Sequence, residues 1–265
     1  MTAAQDGVFE SAAGPAIAYR RVAATGEAGR AGVVWLGGFN STMDGAKATS
    51  LEAWARARGR ACLRFDYSGH GLSGGALEDG TISRWLVEAR QAFDMLTAGP
   101  QILIGSSMGG WIALLLARAH MAQAGADGSR IVGLVLIAPA ADMTERLIWG
   151  DAGADVRRAI EEDGVYLRPS AYGDGPYPIT RALIEDGRKH LILGERLATR
   201  CPVRILHGLD DPDVPWRLSL ALADCLEGED VTVTFVKGGD HRLSTDRDLA
   251  RLEAVLDEVA AAVER

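Results

Sequence analysis

One serine near the middle of the chain has the neighbours that a catalytic nucleophile requires. Positions 105–109 read Gly-Ser-Ser-Met-Gly and match the pattern G-x-S-x-G, with Ser107 at the centre. Residues 101–104 form a short apolar run typical of a buried strand, and residues 111–117 are apolar in the manner of a buried helix. A sharp turn between such elements holds the serine hydroxyl at the positive end of the helix dipole. The pattern predicts Ser107, and not Ser106, as a nucleophile; the alternative is a Gly/Ser-rich turn without chemistry.

A nucleophilic serine needs a general base, and the functional loops of open α/β sheets follow the strands. His241 meets this condition because it follows the last predicted strand, in a loop that carries two glycines at positions 238 and 239. We therefore expect His241 to be the base. His70, in the Gly-His-Gly turn after a strand, is the alternative base, although a structural role is favoured for it. The remaining histidines are expected to pack or to lie away from the serine: His120, His190 and His207.

The acid that orients this histidine is expected after the preceding predicted strand. Positions 207–216 read His-Gly-Leu-Asp-Asp-Pro-Asp-Val-Pro-Trp and offer three carboxylates, Asp210, Asp211 and Asp213. Spacing alone does not choose among them, because aspartate is also a common turn former.

Acyl transfer further requires N–H donors for the oxyanion of a tetrahedral intermediate. The backbone N–H of Met108, directly after the nucleophile, is one predicted donor. The second predicted donor is the N–H of Phe39, in a loop where Gly37 and Gly38 allow the backbone to approach a substrate. Asn40, the next residue of this loop, is predicted to contact the substrate. The alternative for the two glycines is an ordinary turn.

The elements that would hold these residues alternate between strand and helix. An antiparallel hairpin around Gly14 and Pro15 is predicted to open the chain. Strands are predicted at residues 32–36, 61–65, 101–104, 131–138, 203–207 and 231–236. Helices are predicted at residues 51–58, 111–117, 216–226 and 245–263, with a further one capped by Ser83. Because several of these strands are apolar on both faces, the fold class is predicted as α/β, with a mostly parallel central sheet and helices on both faces.

The alternation breaks between residues 140 and 200, which we name the insertion. Short helices are predicted in it at residues 179–184 and 190–197, within a single domain that spans residues 1–265. A crossover needs only about a dozen residues, so residues 142–197 are predicted to form a helical lid over the serine. Its apolar side chains, above all Trp149 and Leu191, are predicted to bind substrate as the wall of an acyl pocket: Leu147, Ile148, Trp149, Ile184, Leu191 and Leu193. The alternative is that these side chains only pack against one another.

Composition excludes several classes of function. Hydrophobic residues make up 48% and charged residues 24% of the 265 residues, as in an ordinary globular protein. The net charge of −8 argues against nucleic acid or an anionic membrane surface as a partner. No apolar run reaches the length of a membrane span, and the first residues resemble neither a signal peptide nor a transit peptide. The odd number of widely spaced cysteines (Cys62, Cys201 and Cys225) predicts a cytoplasmic protein without a disulfide framework or a zinc site.

The whole chain resembles an α/β-hydrolase, in which the nucleophile, the acid and the histidine follow in this order. More narrowly, it is similar to the acyl-protein thioesterase and acyl-glucuronide esterase subgroup known from animal mitochondria. The stretches that carry the resemblance are Phe-Asp-Tyr-Ser at 65–68, Gly-Pro-Gln-Ile-Leu at 99–103, Gly-Ser-Ser-Met-Gly-Gly-Trp at 105–111, Asp211 with Val-Pro-Trp at 214–216, and Asp-His-Arg at 240–242. The resemblance implies Ser107, Asp211 and His241 as the triad. The chain departs from it at Gly37, where many relatives carry histidine, and in lacking a mitochondrial presequence.

The function predicted from the sequence is a serine hydrolase of carboxylic esters or thioesters, with an acyl-enzyme intermediate and without a metal or organic cofactor. Its expected partner is a small-molecule or acylated substrate. Acyltransferase or peptidase chemistry with the same triad stays open. A non-catalytic ligand-binding protein on the same fold is the other alternative, and it predicts a broken triad. The physiological ester, the acyl length and the oligomeric state are left open by the sequence.

Overall fold

A computed structural model describes residues 4–27, 29–125, 128–170 and 175–264. Its main feature is an eight-stranded sheet in the order β1-β2-β4-β3-β5-β6-β9-β10. The first two strands form an antiparallel hairpin, and β2 pairs antiparallel with β4. The other neighbours in this sheet pair in parallel. The predicted fold class, a mostly parallel sheet with helices and an insertion, is confirmed.

Most predicted elements lie within a few residues of those observed. The strands are β1 Gln5–Glu10, β2 Ala16–Val22, β3 Gly32–Leu36, β4 Cys62–Phe65, β5 Gln101–Ser106, β6 Ile131–Ile137, β7 Val165–Arg168, β8 Tyr177–Thr180, β9 Val203–Gly208 and β10 Val231–Val236. The α-helices are α1 Ala46–Ala57, α2 Ile82–Leu96, α3 Met108–Ala124, α4 Ala154–Arg158, α5 Arg181–Gly187, α6 Arg217–Cys225 and α7 Asp246–Val263. Short 3₁₀ turns cover Leu77–Asp79 and Arg188–His190, and π-helical turns cover Thr144–Trp149 and Ala159–Asp163.

The core consists of two apolar layers, one on each face of the sheet. One layer receives Trp85 of α2 and Trp111 of α3, and the other receives Trp54 of α1 and Leu256 of α7. Successive residues of β5 alternate between them, with Leu103 in the first layer and its two neighbours in the second. This alternation follows from the two-residue period of a strand, and it explains why the central strands are apolar throughout.

Parallel pairing brings the carboxyl ends of β3, β5, β9 and β10 to one edge of the sheet. The loops that leave these ends carry the residues that the sequence singles out. Because these loops already meet at one edge of the sheet, suitable turns after the strands are enough to form a site there.

The insertion contains more than helices. Its strands β7 and β8 form an antiparallel hairpin, in which Arg168 pairs with Tyr177. The predicted helix at 179–184 is shifted, because Ile179 belongs to β8 and α5 begins at Arg181. The predicted helix at 190–197 is wrong: the backbone becomes extended at Leu191, and the segment beyond it is held by hydrogen bonds to other parts of the chain.

Ser83 does not cap α2, contrary to the prediction from its position. The cap is Thr81, whose side-chain oxygen accepts the N–H of Arg84. Ser83 lies one residue inside the helix, and both its N–H and its hydroxyl contact the carboxylate of Asp186 in the insertion. Tertiary contact, not capping, therefore explains a serine at this position.

Candidate active site

Ser107 lies at a strained turn between β5 and α3. Its φ of 55° and ψ of −120° are rare for a residue with a side chain, and they match the sharp strand-to-helix turn that exposes a nucleophile. The flanking glycines leave room for this turn. A Cβ at Gly105 would collide with the carbonyl oxygen of Gly109, and a Cβ at Gly109 would collide with that of Leu36. Close approach of backbone to backbone thus explains both glycines of the motif.

The surroundings of Ser107 distinguish it from its neighbour. Ser107 is half-buried at the start of α3, whereas Ser106 is buried as the last residue of β5. The N–H of Ser107 donates to the carbonyl of Ile137 (2.9 Å), and the carbonyl of Ser107 accepts the N–H of Ala140 (3.0 Å). Met108 is the first residue of α3, where N–H groups have no partner inside the helix.

His241 is held by a braced loop after β10. The carboxylate of Asp240 accepts the N–H of Leu243 at 2.8 Å. Lys47 of α1 donates to the carbonyl of Arg242 and to the hydroxyl of Ser244 (3.3 Å). Burial lowers the pKa of Lys47 to about 8. These contacts fix the loop from both sides of the histidine, which limits the positions that its ring can take.

Asp211 lies in the turn that leaves β9. Its Oδ1 accepts the backbone N–H groups of Asp213 (2.8 Å) and Val214 (2.9 Å). Such a side chain-to-backbone turn is a typical use of aspartate. The side chain of Asp211 has no exposed surface. Its neighbour Asp210 is exposed, and the N–H of that residue donates to the carbonyl of Gly239.

A continuous chain of hydrogen bonds joins the three predicted triad residues. Nδ1 of His241 lies 2.8 Å from Oδ2 of Asp211, and Nε2 lies 3.1 Å from Oγ of Ser107. An ionised carboxylate only accepts, so Nδ1 must carry the proton. In the neutral ring Nε2 then presents its lone pair to the serine hydroxyl. The arrangement can take a proton from Ser107, which is what a general base must do.

The charge of Asp211 is maintained by its neighbours. Burial raises the pKa of this carboxyl, but hydrogen bonds from His207 and His241, together with the N–H of Val214, lower it further than burial raises it. The pKa therefore lies well below its usual range. Nε2 of His207 contributes at 3.2 Å from Oδ2. The sequence alone predicts His207 as a packing residue; its position four residues before Asp211 is the signal for a contact with that carboxylate.

The loop after β3 lies against the nucleophile. A Cβ on Gly38 would come within 3.3 Å of both the Cβ of Ser107 and the carbonyl oxygen of Ser106. Phe39 follows, half-buried, and Asn40 is exposed with a φ of 55°, a left-handed conformation that asparagine tolerates. The loop is thus close enough to contribute an oxyanion donor, while the roles of Phe39 and Asn40 stay predictions.

Among residues of the insertion, Tyr177 contacts the loop after β3. Its ring meets that of Phe39 edge-on, with the centroids 5.4 Å apart. Phe39 also packs against Trp85 and His70, at 5.7 and 6.1 Å. Sequence patterns do not single out Tyr177, because it lies in a hairpin that the local sequence does not predict.

The two predicted pocket residues lie elsewhere in the insertion. The ring of Trp149 is flanked by the guanidinium groups of Arg157 and Arg188, at 5.4 and 5.1 Å. Leu191 is half-buried where the chain becomes extended after the 3₁₀ turn. Ile184, by contrast, is buried in the main core and therefore packs rather than lining a pocket. Substrate contact by Trp149 and Leu191 stays a prediction.

A second carboxylate, that of Asp213, lies near the hydrogen-bond chain. Asp211, Asp213 and His241 each offer one ligand-type atom within 4.8 Å of the others. Because the oxygens of Asp211 already accept N–H donors on both sides, we assign this group to the hydrogen-bond network and not to a metal. Among the described residues, no helix has both the length and the apolar character needed to cross a membrane.

Comparison with known proteins points to one family. A family model described as the alpha/beta hydrolase family matches residues 32–257. The protein named palmitoyl-protein thioesterase ABHD10, mitochondrial, from Pongo abelii is 36% identical over 229 residues, which cover 86% of this chain and 72% of that protein.

Two solved structures are similar over nearly the full length. The crystal structure of a putative hydrolase from Agrobacterium vitis S4 has a TM-score of 0.93 at 40% identity, covering 98% of this chain and 100% of that one. The alpha/beta hydrolase domain-containing protein 10 from mouse has a TM-score of 0.85 at 32% identity, covering 97% of this chain and 99% of that one.

Proposed function

This chain belongs to the alpha/beta hydrolase family, and on that premise we propose that it is a serine thioesterase and esterase that works through an acyl-enzyme. The observation that carries the proposal is the hydrogen-bond chain from Ser107 through His241 to Asp211. Each member has the protonation state that acyl transfer needs, because the ionised acid fixes the ring tautomer and leaves a lone pair facing the serine.

In the first half of the reaction, Oγ of Ser107 attacks the acyl carbon while His241 takes the hydroxyl proton. The tetrahedral oxyanion accepts hydrogen bonds from the N–H groups of Met108 and Phe39. The intermediate then collapses, the bond to the thiol or alcohol breaks, and His241 returns the proton to the leaving group. Asp211 stabilises the imidazolium that exists in between.

In the second half, a water molecule replaces the leaving group. His241 removes a proton from the water as it attacks the acyl-enzyme, and the same two N–H groups stabilise the second oxyanion. Collapse releases the carboxylic acid and restores the hydroxyl of Ser107. The chemistry needs no metal or organic cofactor at any of these steps.

We further propose that the insertion, residues 140–200, is a lid on a single hydrolase domain. The insertion leaves the sheet beside the nucleophile, since the N–H of Ala140 donates to the backbone carbonyl of Ser107. Its base is closed by Asp142, a buried residue that accepts the N–H groups of Ile192 (2.8 Å) and Leu193 (3.0 Å). It reaches the loop after β3 through Tyr177. These contacts support a lid that borders the site on two sides.

The lid supports an acyl substrate as the natural class. Several apolar side chains of the insertion pack on the core and still keep part of their surface open: Leu147, Ile148, Trp149, Tyr166, Tyr177 and Leu193. The relative from Pongo abelii is named a palmitoyl-protein thioesterase, so a long-chain acyl thioester of a protein is the natural candidate among acylated substrates. That relative is also named mitochondrial, whereas the cysteine usage of this chain favoured the cytoplasm; the compartment stays a prediction.

The decisive experiment combines labelling with turnover. Purified protein is treated with a fluorophosphonate probe, and the labelled peptide is mapped; an adduct on Ser107 is expected. In parallel, a series of acyl thioesters and matched oxygen esters from two to sixteen carbons is assayed with wild type, Ser107→Ala and Ser106→Ala. Hydrolysis should vanish only in Ser107→Ala.

Other outcomes separate the alternatives. Product formed only with an added alcohol or amine acceptor would indicate an acyltransferase, and cleavage of peptides in place of esters would indicate a peptidase. An adduct on Ser106, or folded protein that neither reacts with the probe nor hydrolyses any substrate, would contradict the proposal.

A further inference from the structure

A second histidine contacts the carboxylate that orients His241. The side chain of His207, at the end of β9, has no exposed surface. Its Nε2 lies 3.2 Å from Oδ2 of Asp211 and 2.9 Å from the carbonyl oxygen of Val214. Its Nδ1 lies 2.6 Å from the hydroxyl oxygen of Ser219 in α6. Every ring nitrogen of this buried histidine thus has a partner.

These contacts determine the tautomer of His207. Both neighbours of Nε2 are acceptors, so Nε2 must carry a proton. In the neutral ring, Nδ1 then accepts the hydroxyl proton of Ser219. The N–H at Nε2 donates to the carbonyl of Val214, and Nε2 lies beside the same oxygen of Asp211 that His241 contacts.

The carboxylate of Asp211 is therefore held on all sides. Its Oδ1 accepts two backbone N–H groups, and its Oδ2 accepts the N–H of His241 at 2.8 Å and is contacted by the ring of His207, whose Nε2 lies 3.2 Å away. A carboxylate held in this way cannot rotate without breaking several hydrogen bonds. Its Oδ2 then stays in the plane that suits the ring of His241.

We infer that His207 is a positioning residue, which acts through Asp211 to hold His241 in the orientation and tautomer that deprotonate Ser107. The inference rests on the proposed function, because it assigns His207 a part in that reaction and no separate one. It predicts an effect on the rate of the chemical step and little effect on substrate binding. A residue that only fills the core would give neither a rate effect nor a change in pH dependence.

The pH dependence has a definite sign. Three titratable groups face Asp211: His207 from β9, His241 from the loop after β10, and Asp213 from the same turn. Burial raises the pKa of Asp211, but the hydrogen bonds from the two histidines lower this pKa by more than burial raises it. Without His207 the pKa of Asp211 rises, and the negative charge of Asp213 acts in the same direction. The acid limb of kcat/KM reports protonation of the catalytic base. A more basic carboxylate stabilises the protonated base more strongly, so this limb moves upward.

The test uses three variants of the network and a matched control. His207→Phe keeps a ring but removes the donor, His207→Gln keeps an N–H donor, and Ser219→Ala removes the contact to Nδ1. The control is His120→Gln: His120 also contacts a serine hydroxyl, that of Ser129 at 3.2 Å, but lies in the second half of α3 away from Ser107. We measure kcat, KM and the pH profile with an acyl thioester.

The expected results differ among the variants. His207→Phe should lower kcat by about 10- to 100-fold with little change in KM, the range expected for losing one hydrogen bond to a charged group. Its acid limb should move upward. His207→Gln should recover most of kcat and the wild-type profile, Ser219→Ala should lie between the two, and His120→Gln should match wild type.

Two further measurements keep the inference testable. Circular dichroism and thermal unfolding establish that each variant folds. In wild type, ¹⁵N resonances of the histidine rings report the tautomer of His207, and a proton on Nδ1 in place of Nε2 would overturn the inference even if His207→Phe failed to fold. A folded His207→Phe variant whose kcat is within about twofold of wild type, and whose acid limb lies at the wild-type pH, would overturn it as well. Wild type that neither hydrolyses thioesters nor labels at Ser107 would instead contradict the proposed function.

Discussion

The chain contains two clusters of serine, histidine and aspartate, and their hydrogen bonds are ordered differently. In the candidate active site, His241 lies between Asp211 and Ser107. In the second cluster the serine lies between its partners: the hydroxyl of Ser83 is 2.8 Å from the carboxylate of Asp186 and 2.7 Å from Nε2 of His190.

The order decides where the serine proton goes. The hydroxyl of Ser83 has one proton and two close partners, one of which, the ionised carboxylate of Asp186, can only accept. Both contacts are satisfied when Ser83 donates to Asp186 and accepts an N–H from His190. Nε2 then has no lone pair that faces the serine, so the histidine cannot remove the serine proton. Three suitable residue types therefore make a base-activated nucleophile in one arrangement and a polar connection in the other.

The second cluster fastens the insertion to the rest of the molecule. It joins Ser83 of α2 to Asp186 of α5 and to His190 in the 3₁₀ turn that follows, and the carbonyl of His190 also accepts the indole N–H of Trp111 at 3.1 Å. We name Ser83, Asp186 and His190 the latch. The comparison predicts that changes in the triad remove activity, whereas changes in the latch affect stability and the fit of the lid.

The largest effect is expected for the two serines. Ser107→Ala should lower kcat by about 10⁶-fold, by the precedent of serine proteases, whereas Ser83→Ala should keep kcat within about threefold of wild type. Turnover of a medium-chain thioester and fluorophosphonate labelling measure both. Loss of labelling at Ser107 in a folded Ser83→Ala variant would mean that the clusters are not independent and would break the comparison.

The two acids should differ almost as much. Asp211→Asn should lower kcat by about 10⁴-fold, because an amide can donate to Nδ1 of His241 and favour the wrong tautomer. Asp186→Asn should change kcat far less. Asp210→Asn and Asp213→Asn are the matched controls beside Asp211, and kinetics at pH 7.5 on all four variants decides the ranking. If Asp213→Asn were the most damaging, the acid would be misassigned by two residues.

The lid should affect the preference for acyl length. Each buried methylene of the substrate adds up to about 0.8 kcal/mol, so kcat/KM should rise by up to about fourfold per carbon until the pocket is filled. A polar residue in place of Trp149, Leu191 or Tyr177 should flatten this trend while hydrolysis of acetyl esters continues. Tyr177→Phe is the control, since it keeps the ring contact with Phe39. A constant preference for acetyl in wild type and variants would mean that the insertion only packs.

The smallest effect is expected on stability. Ser83→Ala should lower the free energy of unfolding by about 1–2 kcal/mol, the usual range for a partly buried hydrogen bond. Urea denaturation measures it, with Thr232→Ala at an exposed position of β10 as the control. An unchanged midpoint in Ser83→Ala would indicate that the latch contributes nothing to stability.

The latch should also make stability depend on pH. Burial lowers the pKa of His190; the charge of Asp186 opposes this, and Arg118 and Lys189 add to it. The folded pKa lies below the value of 6.5 that applies when unfolded, so the unfolded chain binds the proton first as the pH falls. Stability contributed by neutral His190 is thus complete above 6.5 and declines below it. His190→Gln should reduce this slope in thermal unfolding between pH 7 and pH 5; an identical slope would exclude the latch as its source.

Local patterns in the sequence were sufficient to predict the fold and to single out Ser107 as the candidate nucleophile. Short apolar runs indicate the buried strands, and apolar residues at a 3.6-residue period indicate the helices. The Gly-x-Ser-x-Gly turn is equally local, since its glycines are required by the turn itself. Parallel pairing then brings the strand ends together, so the candidate loops around Phe39, Asp211 and His241 could be named in advance.

Contacts between distant residues could not be obtained in this way. Spacing left three aspartates equivalent, and the hydrogen bond that singles out Asp211 joins residues thirty positions apart. The same limit applies to Ser83, which was predicted to be a helix cap and instead contacts the insertion.

The insertion shows the limit most clearly. Its segments are short and irregular, so hydrophobic periodicity predicted a helix at 190–197 where Asp142 holds the chain extended through two N–H groups, and it missed the β7–β8 hairpin. The roles of His207 and Tyr177 likewise depend on partners in other elements. A sequence determines its repeating structure through neighbours along the chain, whereas the partners of isolated polar and aromatic side chains are chosen only when the packed elements bring them within reach.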